Sequence, residues 1–171
     1  MEKFIEEFEN HVCLVRGLVI QKCTELEWAM EVYISEYFSN DNKRIIELAT
    51  LVLAPRVSWY DKLDILKTIF ELNKVQMNAK MKNYYSDIKS IIEDRNVFAH
   101  FPIDQTASAL QEFNSKKALR FLKFKNSKEN TLKKLQLVNY KSYTPKQLGI
   151  IIDKLEIYAE EIKKMTVLFN T

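Results

Sequence analysis

Between Phe4 and Phe38 apolar residues return at helical spacing (Phe4, Phe8, Val15, Leu18, Val19, Leu26, Met30, Tyr33, Tyr37), with no proline and a single glycine, Gly17, in the run. A stripe of that length on a 3.6-residue period commits the first fifth of the chain to one long helix. Gly17 is where this helix can bend or admit a close neighbour. The remainder agrees with a helical fold. The 171 residues include only two Gly and three Pro, with 47% hydrophobic residues, which favours helices over a turn-rich β fold. The length suits one domain with one sizeable core. No repeat, low-complexity tract or linker divides it, so residues 1–171 are expected to form a single domain.

Ser39-Asn40-Asp41-Asn42 ends the first helix and can cap a short second one running to about Leu53, where Ala54-Pro55 should break it. Ser58-Trp59-Tyr60-Asp61 has the capping-box arrangement and opens a third helix with Leu63, Leu66, Ile69 and Phe70 on one side. A fourth covers about Asn78 to Ala99, with Met81, Tyr84, Tyr85, Ile88, Ile91 and Ile92 on its stripe and Arg95 next in line. Pro102 disfavours the α region at Phe101, so this helix should end near His100. A loop follows, with a short helical piece around Ala107 to Phe113. Two alternating runs, Leu119 to Lys125 and Leu135 to Tyr140, flank a polar turn and read as a β-hairpin. Thr144-Pro145-Lys146-Gln147 then caps a last helix, with Leu148, Ile151, Ile152, Leu155, Ala159, Ile162, Thr166 and Phe169 on one face. The expected fold is an all-α bundle of about five helices, with a small hairpin at about 116–143 before the last.

Several classes of function drop out. No run of about 18 apolar, uncharged residues is present, so a membrane span is not expected. Met1 to Glu7 has neither a basic start nor an apolar stretch, so a secretory signal is not expected either, and the chain should stay in the cytoplasm. Cys13 and Cys23 lie about 15 Å apart along one helix, too far for a disulfide, and are expected as small core residues. Two Cys and two His without a ligand-spaced motif make a metal site unexpected. Phosphate loops and nucleophile elbows need glycines at positions this chain does not supply, so no cofactor is expected.

The formal charge of +3 hides an uneven distribution. Residues 1–115 carry 13 basic and 18 acidic side chains, whereas 116–146 carry ten basic residues against Glu129 alone. A basic segment on a mildly acidic body is either a solvated hairpin or a contact for an anionic partner. On the second alternative Arg120, Lys123, Lys125, Lys133 and Lys134 are the candidate contacts to the anionic groups of that partner.

One constellation can carry chemistry: Glu93-Asp94-Arg95-Asn96-Val97-Phe98-Ala99-His100. Arg95 continues an apolar stripe, where a charge is costly without a partner or a cleft. His100 falls at the helix end and can lean into a groove. Five residues turn a helix by about 500°, so the two side chains point about 140° apart. Asn96 shares the face of His100. One such motif cannot surround a phosphate, but two facing copies could. The structural alternative is an ion pair from Arg95 to the first helix and a His that meets the last carbonyls. His11, on the Phe4–Phe8–Val15 stripe, reads as a packed or edge residue.

Arg-Asn-x-x-Ala-His at the end of an amphipathic helix resembles the signature of the HEPN family: an Arg, a polar residue, a short spacer and a His. A long first helix, a motif closing the fourth and a capped last helix match the order of that fold. The resemblance implies a HEPN-like bundle and a metal-independent endoribonuclease of a toxin or defence type, dimeric, with Arg95 and His100 as the catalytic pair and Asn96 beside them. It also allows a non-catalytic module that binds RNA, a nucleotide or a partner protein, and an antitoxin or nucleotidyltransferase as partner. Some toxin members carry a Tyr two residues after the His, modified by such a partner. Here that position is Pro102, so neutralisation by that route does not carry over.

Overall fold

The computed structural model describes residues 2–125 and 136–166. In chain order its elements are α1 (Glu2–Phe38), α2 (Asn42–Glu47), a π-helical stretch (Leu48–Leu53), α3 (Ala54–Arg56), α4 (Trp59–Leu72), α5 (Tyr84–His100), α6 (Ala107–Lys116), β1 (Leu119–Lys125), β2 (Gln136–Tyr143) and α7 (Pro145–Lys164). With the run from α2 to α3 taken as one, the described residues hold six helices and a single antiparallel hairpin before the last helix. The protein is therefore all-α with a small hairpin. The helix beyond the expected five is α6, which extends past the short piece anticipated there. None of the described helices is long and apolar enough to cross a membrane.

Local signals in the sequence set most of the boundaries. Asp41 caps α2 by accepting from the Arg44 amide at 3.0 Å. Ser58 caps α4 by accepting from the Asp61 amide, while its hydroxyl donates to the Asp61 carboxylate at 2.6 Å. At α7 the Thr144 amide donates to Gln147 Oε1 at 2.8 Å and the Gln147 amide donates back to Thr144 Oγ1, a reciprocal capping box.

Four expectations need correction. The helical run continues through Ala54-Pro55 and stops at Val57, which is extended. The Ala54 amide reaches five residues back to Ala49, so the ladder has already shifted to π bonding and skips a donor where Pro55 has none to give. The fourth helix starts at Tyr84, six residues late, because Asn78 Oδ1 accepts from the amides of Lys80 and Met81 and holds a turn instead. Cys13 is exposed, whereas Cys23 is buried as expected. A Cβ at Gly17 would meet nothing within 4 Å, and α1 runs unbroken through it, so no neighbour needs the missing side chain.

The described residues fall into two compact units, to both of which α1, α5 and α7 contribute. The unit of residues 21–94 and 151–171 has a core around Leu26, Met30, Leu66, Ile88, Leu155 and Ile162, all fully buried. Inside it Lys62, also fully buried, donates to Glu31 at 2.5 Å and Glu27 at 2.6 Å. The unit of residues 1–20 and 95–150 has an aromatic core. Phe8 meets Phe113 edge-on at 5.0 Å, and Phe98 sits 5.0 Å from Phe121 and 4.7 Å from Tyr143. Strands β1 and β2 pair from Leu119↔Tyr143 to Lys125↔Gln136, with an irregularity between Lys123 and Phe124.

Candidate functional site

Arg95, Asn96 and His100 all belong to the second of these units, on the last turns of α5. Val97 and Phe98 point into its core, which fixes the rotation of the helix and turns Arg95 and Asn96 toward its half-buried flank. Arg95 Nη1 donates to Asn96 Oδ1 at 3.3 Å. Among the described residues Arg95 pairs with no carboxylate, so the ion pair to the first helix that would make it structural is not formed. Its partner is a neutral amide, and the guanidinium keeps its charge and its remaining donors. His100 is the last residue of α5 and is exposed, and among the described residues nothing bonds its imidazole.

The backbone behind His100 is held firmly. The Phe101 amide closes the last helical bond to Val97 O at 3.0 Å. Beyond it the chain runs along β1 as a short edge. The Leu122 amide donates to Pro102 O at 2.9 Å, Ile103 bridges Phe121, and the Asp104 amide donates to Arg120 O at 2.7 Å. Phe98 packs on Phe121 and Tyr143 of the hairpin, so the hairpin helps position the motif helix.

Arg16 of α1, not expected from the sequence as part of the site, donates through Nη2 to Phe101 O at 2.6 Å. Its guanidinium lies over the Phe121 ring, 5.2 Å from the centroid. The signal for it existed: Val12, Arg16 and Val19 share one face of α1, and Val12 and Val19 are buried. A cation in such a stripe has the same anomaly as Arg95.

The cations of the hairpin divide. Arg120 is committed within the protein: Nε lies 2.8 Å from Asp104 Oδ2 without hydrogen-bond alignment, and Nη2 donates to Ser108 at 2.6 Å and Thr106 at 3.3 Å. Its guanidinium also covers the Tyr140 ring at 4.8 Å. Lys123 and Lys125 lie on β1, while Lys133 and Lys134 fall outside the described residues. Beside the strand, Lys117 pairs with Glu7 at 3.0 Å and covers Phe113. His11 is half-buried, its ring 5.3 Å from Phe113, a packed edge residue. No three His, Cys, Asp or Glu side chains among the described residues converge to hold a metal ion.

Comparison with family models, with curated proteins and with solved structures gave no match.

Proposed function

We propose that the chain is a HEPN-type endoribonuclease that works in the cytoplasm, as a homodimer, in a toxin or defence role. The observation that carries this is Arg95: a half-buried guanidinium on an apolar stripe whose partner is the neutral Asn96, five residues before an exposed helix-terminal His100. A charge left uncompensated inside a protein is costly, and a cation kept that way suits a site that receives an anion. The anion would be the phosphodiester of RNA. His100 would accept the proton of the ribose 2′-hydroxyl as that oxygen attacks the neighbouring phosphorus, or return a proton to the departing 5′-oxygen. Arg95 would bind the phosphate oxygens in pairs as their charge builds, with Asn96 steadying one arm of its fork. Because the two side chains diverge by about 140° around the helix, one copy supplies either the acid–base group or the charge clamp at a given phosphate. Two motifs facing across a two-fold axis would supply both. The lysines of the hairpin would grip the RNA backbone.

A second reading rests on the unbonded imidazole. Catalytic histidines are commonly oriented by a partner on the second ring nitrogen, and His100 has none among the described residues. A HEPN-like module that binds RNA, a nucleotide or a protein without cleaving would not require one. An RNA-cleavage assay of wild type beside His100→Ala separates the two. Wild-type cleavage that survives EDTA, leaves a 2′,3′-cyclic phosphate or its 3′-phosphate product, and falls by about a hundredfold or more in the variant supports the ribonuclease. Equal rates from well-folded wild type and variant would leave the binding module.

A further inference from the structure

We infer that Arg16 is a positioning residue that fixes where α5 presents His100. Only the use made of that position rests on the ribonuclease proposed above. The sequence creates the need. Pro102 disfavours the α region at Phe101 and has no amide hydrogen for the carbonyl of Phe98, and α5 ends at His100. A helix end of this kind frays unless something outside the helix holds it. The pairing with β1 begins only at Pro102, through its carbonyl. Arg16 reaches one residue closer, to the carbonyl of Phe101, with a 2.6 Å bond from Nη2. That carbonyl is separated from the His100 α-carbon by a single rigid peptide unit and one residue.

Arg16 is itself fixed. Its flat guanidinium lies over the ring of Phe121, which is fully buried in the aromatic core. Its Nε is buried with no hydrogen-bond partner, and no carboxylate among the described residues pairs with it. An apolar side chain between Val12 and Val19 would avoid both costs. What the arginine supplies in exchange is a charged donor at the C-terminal end of α5, where the carbonyl dipoles favour a cation. Held at the Phe101 carbonyl by Arg16 of α1 and at the Pro102 carbonyl by β1, the segment after His100 has little freedom to carry the imidazole elsewhere.

The chain has two histidines, so a sample labelled with 15N-histidine gives two imidazoles, and His100→Ala assigns them. Arg16→Met keeps an apolar stem of similar reach but has no donor. It should shift and broaden the His100 ring signals while those of His11 stay in place. Where wild type cleaves RNA, the same variant should lose about a hundredfold in kcat with KM little changed, the pattern of a misplaced group rather than of weakened binding. Arg16→Lys should return the His100 signals to their wild-type position by restoring the bond to Phe101 O. If wild type does not cleave, the ribonuclease fails, and the imidazole signals still decide the role of Arg16. Unchanged His100 signals in folded Arg16→Met would overturn the inference. Should that variant not fold, Arg16→Lys carries the test alone. His100 signals at the wild-type position with the Phe101 carbonyl 13C shift retained would support the inference. Displaced signals with that shift retained would overturn it.

Discussion

Lys62 and Arg95 are both cations set among apolar residues on helices, and the two units of the chain treat them in opposite ways. Lys62 is fully buried, with Glu27 and Glu31 within 2.6 Å of its ammonium group. Burial pushes the Glu31 carboxyl above its ordinary value, and the hydrogen bond from Lys62 only partly offsets this. Arg95 is half-buried, and a neutral amide is its partner. The first arrangement closes a charge inside the protein, where its work is to keep neighbouring carboxylates tolerable. The second leaves a charge with donors still unspent. A cation on an apolar stripe is thus informative about function only once its partners are known, and a carboxylate partner removes most of that information.

The largest effect should fall on Lys62. Lys62→Met strands Glu31 in the core and should cost about 3–5 kcal/mol in urea unfolding. Replacing the cluster as a whole, Lys62→Met with Glu31→Met and Glu27→Gln, should recover most of that loss, because no charge is then left unpaired. If Lys62→Met alone is silent, the cluster does not close a buried charge and Lys62 does not differ from Arg95.

Inside the basic hairpin Arg120 is a third cation of this kind. Like Lys62 it is paired, here with Asp104 and the hydroxyls of Thr106 and Ser108. Neutralising Lys123, Lys125, Lys133 and Lys134 together should weaken RNA binding for every sequence. The slope of log affinity against log salt should fall by about 0.7 for each single-strand phosphate that is no longer neutralised. Arg120→Gln should leave that slope nearly unchanged. Equal slopes for wild type and the four-lysine variant would make the hairpin merely solvated.

The smallest effect is a pH dependence in the unit that holds Lys62. Burial would raise the Asp87 carboxyl, but hydrogen bonds from Lys154 and Tyr158 outweigh it and hold the group below its ordinary value. A lowered folded-state value favours the charged form in the folded protein. Its stabilisation is therefore present at neutral pH and is lost as pH falls from about 4 through that lowered value. Asp87→Asn should lower the urea midpoint at pH 7 and narrow its gap to the midpoint at pH 3. Glu31, with its value raised, works in the opposite direction, so an unchanged gap in Asp87→Asn would mean that Asp87 does not set the acid limb.

Local features of the fold are legible in the residues themselves. The caps at Ser58 and Thr144 act through residues three positions apart, and the hairpin follows from alternation on both sides of a polar turn, so each is encoded locally. Arg95 stands out because charge interrupts an apolar period. What the sequence hides depends on distant partners. Arg120 reads as a free cation because Asp104 is 16 residues away and meets it only when the chain after His100 runs along β1. Lys62 draws no notice because Glu27 and Glu31 lie on another helix. The late start of α5 is equally hidden, since a helical stripe through Met81 says nothing about the Asn78 side chain, which captures the amides of the first turn.

The most direct test measures stability and RNA cleavage together in Arg95→Ala. With no carboxylate left stranded, unfolding should change by less than about 1 kcal/mol, against the several expected for Lys62→Met. Cleavage by the same folded sample should fall by about a hundredfold or more, in EDTA as in its absence. Wild-type cleavage by folded Arg95→Ala, or a loss of stability as large as that of Lys62→Met, would contradict the assignment of Arg95 to an anionic substrate.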